Sequence, residues 1–452
     1  MTAELRIMGI GLLGANFSSA SFRRGLEQSP HVIASDGGTS DKGPYFLGTG
    51  SVDTQGIRRD LNVLIPGSRS VKAPLLFGSV GTAGGDAQVD EVTQIAIEVA
   101  HRQGLHLRIA SIKSELDPQY VAGLVAKGRV QPFGSVGPLT EEDVTSSDHI
   151  VGMMGVEPFQ EALDAGADLI IGGRAVDPAM FAAPILNSGR DAGLAWHIGM
   201  AMDKGPMITQ PTSAGSCILA RVSTDSAIVS PTHDRVVCTP RSVAATMVYE
   251  SADPYQTVFP SGALDLTESA YEAVDGRSVR VSGGRFAPAA KYTVKIEGAR
   301  FVGYRAVAVM GIRDPFLIAD LAEFFENTRS IAARNLERMG VGPQDYTVRF
   351  RVYGRDGVMG TMEPSRDHVP QEVGVLVEAV ASTADLAAFT AERFTSIAHR
   401  VEFKGRLTTA GNVSSPFSGP PLSGGPVYEW SAWHIIEPDQ WTDARRVEYT
   451  DV

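Results

Sequence analysis

The feature of this sequence that most constrains its fold is a repeated pairing of a short apolar run with a glycine-rich polar loop. The loops lie at residues 9–14, 36–44, 78–86 and 172–177. In open α/β sheets the carboxyl ends of parallel strands meet at one edge, and ligands bind there. The pattern therefore predicts strands that end at a common ligand site. The same glycine, aspartate and proline residues are also ordinary turn formers, so a purely structural role stays open.

The length of the chain predicts two or three domains, and a change in sequence pattern divides it into residues 1–235 and 236–452. Before residue 235, short β-branched runs alternate with amphipathic segments, which is typical of βα units. After it, longer alternating runs flank two long helical patterns. The expected fold class is α/β, with a mostly parallel sheet in the amino-terminal domain and an α+β carboxy-terminal domain.

The predicted elements follow from hydrophobic periodicity. In the first domain the predicted strands are residues 5–8, 31–34, 75–77, 107–112 and 167–171, and the predicted helices are residues 90–103 and 158–165. In the second domain the predicted strands are residues 278–281, 292–296, 301–310, 346–353 and 371–381, and the predicted helices are residues 316–339 and 383–400. The runs 292–296 and 301–310 are predicted to form a hairpin.

Charge and cysteine content exclude several classes of protein. The net charge is −12 and no basic cluster stands out, which argues against a nucleic-acid surface. Cys217 and Cys238 are too few for a disulfide framework or a cysteine-based metal site. We find no signal-peptide pattern and no apolar run long enough to cross a membrane. We therefore expect a cytoplasmic protein that binds neither nucleic acid nor membrane.

The first glycine loop admits two interpretations. Gly9, Gly11 and Gly14 satisfy the pattern G-x-G-x-x-G after a strand, and Asp36 follows at about the distance of a ribose-binding carboxylate. This supports an NAD(P)-dependent oxidoreductase as an alternative. The preferred interpretation is that amides between Gly11 and Asn16 hold a carboxylate or a developing oxyanion at a helix amino terminus, without a cofactor.

The loop at residues 78–86 repeats this arrangement. Ser79, Gly81, Gly84 and Gly85 are predicted to bind substrate there. The loop lacks the Gly-Lys-Ser/Thr ending of a phosphate-binding P-loop, so nucleoside triphosphate hydrolysis is not expected.

The candidate catalytic residues carry opposite charges near strand ends. Arg174, as a forked cation, and Lys42, as a point charge, are predicted to hold a substrate carboxylate or carbonyl oxygen. Asp177 or Asp36 is predicted to take a proton, and His197 to donate one. The alternatives are an Arg174–Asp177 ion pair that braces a helix start and a histidine that is simply packed in its helix. No spacing typical of metal ligands is present, so no metal is predicted.

Several segments together resemble the acyclic terpene utilisation family, the AtuA-like proteins. They are Gly9 to Phe17, Val156 to Asp177, Trp196 to Gly199, Val248 to Pro254, Val279 to Gly284, Gly411 to Ser418 and Trp433 with His434. The resemblance implies catabolism of branched or unsaturated carboxylic acids, often as acyl-CoA thioesters. It also implies, for some members, a small ferredoxin-like domain of about one hundred residues. Since the chain ends at Val452, we expect such a domain here as a separate subunit.

Together these observations predict a lyase, most simply a hydratase or dehydratase. Its expected substrate is a small or branched carboxylic acid or the corresponding acyl-CoA thioester, and the expected assembly is a homo-oligomer. The alternatives are the NAD(P)-dependent oxidoreductase and a non-catalytic subunit that binds acyl acids and needs a small partner.

Overall fold

The computed structural model describes residues 4–213, 215–249, 251–365 and 368–452. The chain divides into two compact units. Unit 1 comprises Met1–Arg300 and Trp430–Val452, and unit 2 comprises Phe301–Glu429. Glu250, which belongs to the segment Val248 to Pro254 of the family resemblance, lies outside the described residues.

The strands of the described residues follow in chain order. They are β1 (Leu5–Leu12), β2 (Val32–Asp36), β3 (Leu75–Gly78), β4 (Arg108–Lys113), β5 (Val130–Pro132), β6 (His149–Gly152), β7 (Leu169–Gly172), β8 (Thr209–Gln210), β9 (Ile218–Val222), β10 (Ser226–Pro231), β11 (Val237–Cys238), β12 (Gln256–Phe259), β13 (Gly262–Asp265), β14 (Ala270–Ala273), β15 (Val279–Ser282), β16 (Arg285–Pro288), β17 (Val294–Ile312), β18 (Tyr346–Tyr353), β19 (Val373–Ala381), β20 (Leu422–Ile436) and β21 (Arg446–Asp451).

The α-helices are α1 (Ser19–Glu27), α2 (Tyr45–Thr49), α3 (Thr54–Val71), α4 (Asp86–Gln103), α5 (Pro118–Ala126), α6 (Glu141–Thr145), α7 (Glu157–Asp164), α8 (Ala179–Asn187), α9 (Ala192–Asp203), α10 (Pro240–Met247), α11 (Pro315–Ala319), α12 (Leu321–Glu337) and α13 (Ala384–Ala398). Short 3₁₀ turns lie at Ser40–Lys42, Gly205–Ile208, Gly360–Met362 and Trp441–Ala444. Over the ranges described, the helices are too short or too polar for any of them to cross a membrane.

Unit 1 is built on a mixed sheet. Among the described residues it has ten strands in the order β14-β15-β10-β9-β1-β2-β3-β7-β4-β21. The central strands β1, β2, β3, β7 and β4 are parallel, and they correspond to the five strands predicted for the first domain. The flanking strands pair antiparallel. The mixed α/β content is therefore confirmed, and the sheet combines a parallel centre with antiparallel flanks.

Both faces of the parallel strands are buried, which explains their continuous apolar sequences. Ile7 and Ala34 belong to a core with α7, α8 and α9 on one face. Met8 and Ile33 belong to a second core with α3 and α4 on the other face. Because neighbouring residues of a strand point to opposite faces, each strand contributes to both cores. Burial of an isoleucine or methionine of this kind contributes about 1.5–3 kcal/mol.

The compact units divide the chain differently from the boundary predicted at residue 235. β14 and β15 follow that residue, yet β15 pairs with β10 and β14 pairs with β15, so both extend the sheet of unit 1. The change to longer alternating strands after residue 235 therefore marks the antiparallel flank of this sheet. Antiparallel strands alternate because one of their faces is less buried than the other.

Unit 2 has the element order β-α-β-β-α-β, from β17 through α12, β18, β19 and α13 to β20. Its strands lie in the order β18-β19-β17-β20, and β19 is antiparallel to both of its neighbours. This is the ferredoxin-like, or split βαβ, topology. Helices α12 and α13 contribute Phe324 and Phe394 to a core with Val375 and Val377.

One predicted turn is not formed. Residues 292–296 and 301–310 were expected to be the two strands of a hairpin, but β17 runs without interruption over Val294–Ile312. Gly298 and Gly303 lie within this strand. A Cβ at Gly298 would come within 2.7 Å of Ser431 Oγ, so this glycine permits a close approach of two strands.

Two helix glycines test the packing of unit 1. A Cβ at Gly193 in α9 would come within 2.2 Å of the Gly284 carbonyl oxygen, whereas a Cβ at Gly123 in α5 would meet no atom within 4 Å. We expect Gly193→Ala to lower the free energy of unfolding by about 1–3 kcal/mol through overpacking. Gly123→Ala should raise it by up to about 1 kcal/mol, because alanine is the better helix former. Denaturant unfolding measures both, and effects of the same sign would contradict the packing described.

Candidate functional site

The centre of the candidate site is Arg174, which follows β7 at the carboxyl edge of the parallel strands. The residue is only 4% exposed. Its Nε and Nη2 donate to the two carboxylate oxygens of Glu297 at 3.2 and 3.3 Å. Nη1 also donates to the Ser79 hydroxyl at 3.3 Å, and Nη2 to the Ser40 hydroxyl at 3.2 Å. A bidentate pair of this kind fixes the orientation of the guanidinium as well as balancing its charge.

Segments from distant parts of unit 1 converge on this guanidinium. Ser40 comes from the 3₁₀ turn after β2, and Ser79 follows β3. Ser114 follows β4, and its hydroxyl accepts the backbone N–H of Arg174 at 2.8 Å. Glu297 comes from β17, outside the ten-stranded sheet. The arrangement therefore forms only when the parallel strands and β17 have reached their folded positions.

A second cation, Lys295, precedes Glu297 by two residues and so lies on the same face of β17. Its Nζ donates to Glu297 Oε1 at 2.9 Å. The same nitrogen lies 3.5 Å from the centroid of the Trp433 ring and 5.1 Å from that of Phe133. Burial lowers the pKa of Lys295 below its usual value, although the negative charge of Glu297 opposes this.

Glu297 is fully buried and is shared by the two cations. Burial by itself would raise the pKa of this carboxyl, but the positive charges of Arg174 and Lys295 outweigh that effect and hold the pKa below its usual value. Glu297 is therefore an anion that balances two buried or partly buried cations.

Lys295 also lines a cavity of about 310 Å³ in unit 1. The remaining lining residues are mostly apolar: Phe133, Met153, Val176, Val258, Phe259, Pro260, Thr293 and Ile435. Small-molecule sites commonly have this volume and combine an apolar wall with one or a few charged groups. The cavity therefore offers an apolar surface that ends at an ammonium group.

Two partly exposed carboxylates, Asp36 and Asp177, lie close to Arg174. Asp177 Oδ1 is 3.6 Å from Arg174 Nη1, and Asp36 Oδ1 accepts the Gly38 N–H at 3.3 Å. Burial and the negative charges of Asp177 and Asp203 raise the pKa of Asp36 well above its ordinary value, against smaller opposing effects from Gly38 and Arg174. A carboxyl that holds its proton in this way suits a proton donor.

Three of the glycines predicted to bind substrate lie where neighbouring loops pack closely. A Cβ at Gly84 would come within 2.3 Å of the Arg174 backbone nitrogen, and one at Gly81 within 2.8 Å of Gln88 Cβ. A Cβ at Gly85 would meet Glu115 Oε1 at 3.1 Å. These glycines let the strand-end loops approach one another, which is a structural role.

The first amides of α4 are already paired. The Gly85 N–H donates to Gln88 Oε1, and the Asp86 N–H donates to Glu115 Oε1, both at 2.9 Å. Of the residues in this loop that were predicted to bind substrate, Gly85 therefore already has a partner for its amide within the protein. This arrangement favours helix capping over ligand binding at the start of α4.

The glycine loop after β1 differs from a dinucleotide-binding turn. Helix α1 begins only at Ser19, with Ser18 as its N-cap, whereas the dinucleotide fingerprint leads its glycines directly into a helix that faces the pyrophosphate. The Gly14 N–H donates to Asp60 Oδ2 at 2.8 Å. A carboxylate at this amide would repel a pyrophosphate, so the geometry gives no support to the oxidoreductase alternative.

The remaining predicted binding residues have other surroundings. Lys42 is exposed, and its Nζ lies 5.6 Å from the centroid of the Phe46 ring. Gly11, near the end of β1, and Asn16, in the turn after it, adopt positive φ angles of 79° and 74°. The loop that contains Lys42 reaches Arg174 through Ser40 instead.

His197 has surroundings that do not suit the proton donor predicted for it. It is fully buried in α9, and its Nε2 lies 2.9 Å from the Tyr271 hydroxyl. Burial lowers the pKa of His197 to about 4, so the imidazole is neutral near pH 7. A neutral, enclosed imidazole carries no readily donated second proton. The alternative of a packed helical histidine describes this residue.

Sequence reasoning missed Lys295, Glu297, Ser40 and Ser114. Lys295 and Glu297 alternate with apolar residues in β17, and alternation ordinarily indicates a strand with one solvated face. In the folded chain that polar face is covered instead. Within the residues described, no group of three or more His, Cys, Asp or Glu side chains is arranged to hold a metal ion.

Removal of the shared anion should destabilise the protein strongly. We expect Glu297→Ala to lower the free energy of unfolding by about 3–5 kcal/mol, because it leaves buried cations without their counter-ion. Glu372→Ala removes an exposed partner of Arg313, and it should change the same quantity by less than about 1 kcal/mol. Denaturant unfolding measures both variants. Equal losses would show that the Glu297 contacts contribute no more than a surface ion pair.

The raised pKa of Asp36 gives a pH-dependent prediction. Below pH 3.8, the ordinary pKa, Asp36 is mostly protonated in both the folded and unfolded states. At higher pH the unfolded state releases this proton more readily than the folded state, so Asp36 costs stability as pH rises toward its folded pKa. Relative to the native chain, Asp36→Asn should therefore gain stability progressively above pH 3.8.

Thermal unfolding of the native chain and the Asp36→Asn variant over a series of pH values measures this gain. Asp275→Asn is the contrasting control, because the backbone N–H of Arg277 lowers the pKa of this exposed carboxyl. That variant should lose stability relative to the native chain as pH rises. A constant or shrinking difference for Asp36→Asn would contradict the raised pKa.

Comparison with known proteins identifies one family. The family model described as acyclic terpene utilisation family protein AtuA matches residues 79–188 and 207–415. These ranges include Ser79, Arg174, Lys295 and Glu297. Searches of curated proteins and of solved structures found no match. Because the matched ranges cover more than half of the sequence, the chain belongs to the acyclic terpene utilisation (AtuA) family.

Proposed function

We propose that the protein is a lyase of acyclic terpene utilisation that adds water to, or removes water from, a small or branched carboxylic acid or its acyl-CoA thioester. One observation carries the proposal. The ammonium of Lys295 lies at the wall of an apolar cavity and shares a buried carboxylate with Arg174. Membership of the AtuA family supports a role in acyclic terpene utilisation.

The difference in exposure between Arg174 and Lys295 decides which of the two cations we assign to substrate binding. Arg174 is almost fully buried and bonded to Glu297 and two serines, so it positions Glu297 and, through it, Lys295. Lys295 is the cation that lines the cavity, and we assign to it the carboxylate or thioester carbonyl oxygen of the substrate. The apolar chain of the substrate then occupies the cavity, where its burial provides binding free energy.

The chemical roles follow from the two carboxylates beside Arg174. In the elimination direction, Asp177 takes the proton from the α-carbon and Asp36 gives its proton to the leaving hydroxyl. Lys295 stabilises the negative charge that develops on the carbonyl oxygen. The products are an unsaturated acid or thioester and water, and the two carboxylates return to their starting protonation states through solvent. We assign no role to His197.

The first test of this proposal uses the purified chain with branched α,β-unsaturated acids and their CoA thioesters. Hydration removes the conjugated double bond, so loss of its ultraviolet absorbance measures turnover. We expect Asp177→Asn and Asp36→Asn each to lower kcat by about 10²–10⁴-fold, the usual contribution of a general acid or base. Lys295→Gln should raise KM and lower kcat, because it removes charge both from binding and from the transition state.

Lys291→Gln is the matched control for Lys295→Gln. Its side chain is 70% exposed and pairs with Glu437, so turnover should be unchanged. Thermal unfolding distinguishes loss of chemistry from loss of folding in each variant. Full activity in Asp177→Asn, or absence of hydration and dehydration by the native chain across both the acids and the thioesters, would overturn the proposal.

A further inference from the structure

We propose that Lys295 also acts as an amine nucleophile that condenses with an apolar aldehyde or ketone in the cavity of unit 1. The proposal rests on the burial of this side chain, on the carboxylate that it shares with Arg174 and on the cavity that it lines. It does not require the hydration reaction, because it concerns carbonyl compounds and a different bond.

Two features of the surroundings of Lys295 disfavour its charged form. Its side chain is only 17% exposed, so most of the hydration of the ammonium is lost. The faces of Trp433 and Phe133 act in the opposite direction, because an aromatic face attracts a cation. Arg174 is bonded to the same carboxylate and adds a second positive charge close by. Desolvation and a neighbouring cation are the two conditions that convert a lysine into a nucleophile near neutral pH.

The charged groups that act on Lys295 come from three elements. Glu297 on β17 and Asp41 on the 3₁₀ turn after β2 favour the ammonium, whereas burial and Arg174 after β7 disfavour it. The disfavouring effects prevail, and the pKa of Lys295 is lowered. The geometry agrees with this balance, since one carboxylate, Glu297, is shared between two cations.

Solvent takes the proton from the ammonium, and Glu297 Oε1 keeps the nitrogen in place through the 2.9 Å hydrogen bond that it accepts from Nζ. The free amine then attacks the carbonyl carbon. The nitrogen releases one proton to solvent and the carbonyl oxygen takes one up, which gives a carbinolamine with a hydroxyl on its carbon. Loss of this hydroxyl as water, with one further proton from solvent and release of the proton on nitrogen, leaves a carbon–nitrogen double bond. The sum is amine plus carbonyl giving imine plus water, with no oxidation or reduction.

The cavity selects the carbonyl compound. About 310 Å³ of mostly apolar space favours a compound with a short, branched hydrocarbon chain over a polar one. Isovaleraldehyde is therefore a suitable probe, and glyoxylate is its polar counterpart.

Reductive trapping tests the proposal directly. The full-length protein is incubated with isovaleraldehyde and sodium cyanoborohydride near neutral pH, and the alkylated lysines are located and quantified by peptide mass spectrometry. We expect alkylation of Lys295 to be several-fold faster than that of the exposed Lys291, because burial lowers the pKa of Lys295 and so leaves more of it as the free amine. Glyoxylate should show a smaller preference for Lys295. Alkylation of Lys295 no faster than that of Lys291 would overturn the proposal.

A variant with a narrower cavity tests whether the aldehyde reaches Lys295 through the cavity or directly from solvent. Val258 lines the cavity and is 76% exposed, so Val258→Trp narrows it without disturbing the core. In this variant Lys295 should be alkylated more slowly, and the alkylation rate of Lys291 should be unchanged. An unchanged rate at Lys295 in a variant with native thermal unfolding would also overturn the proposal. The hydration assay reports a separate reaction, so either proposal can fail without the other.

Discussion

The burial of Glu297 is the constraint on which the candidate site depends. A carboxylate without access to water is costly unless nearby cations and hydrogen-bond donors compensate for lost hydration. Here Arg174 supplies two donors and Lys295 a third. Arg174 is itself nearly buried and needs further acceptors, which the hydroxyls of Ser40 and Ser79 provide. Glu297 on β17 thus requires Arg174 after β7, and Arg174 in turn requires the serine hydroxyls that follow β2 and β3.

The parallel strands bring these residues close enough to contact one another. Because β1, β2, β3, β7 and β4 point in the same direction, the residues that follow them emerge at one edge. Glycines then let the emerging loops approach more closely than side chains would allow, as at Gly38, where a Cβ would lie 2.3 Å from Thr82 Cα and φ is +146°. Replacement of the buried ions by apolar residues is often neutral or stabilising in proteins. Stability alone therefore does not explain a buried ion cluster beside a cavity.

The sequence predicted those parts of the fold and site that depend on local pattern. The five parallel strands are recognisable because both of their faces are buried, and Asp36, Ser79, Arg174 and Asp177 follow such strands. Lys295 and Glu297 were not predictable in this way, because a strand with alternating charges has the same sequence pattern whether water or protein covers its polar face. The helical spacing around His197 likewise carries no information about its burial. The division between the units depends on long-range pairing of β14 and β15 with β10, which periodicity does not report.

The same interaction accounts for both activities proposed for Lys295. When Nζ carries its proton, it is a cation at the wall of an apolar cavity, suited to a carboxylate or a developing enolate oxygen. When this proton is released to solvent, the same nitrogen is an amine that still donates to Glu297 Oε1. Arg174 keeps Glu297 in place in both states through its bidentate contact. The buried carboxylate thus holds Lys295 in one position whether or not Nζ carries its proton. An exposed ion pair in water holds its side chains only weakly.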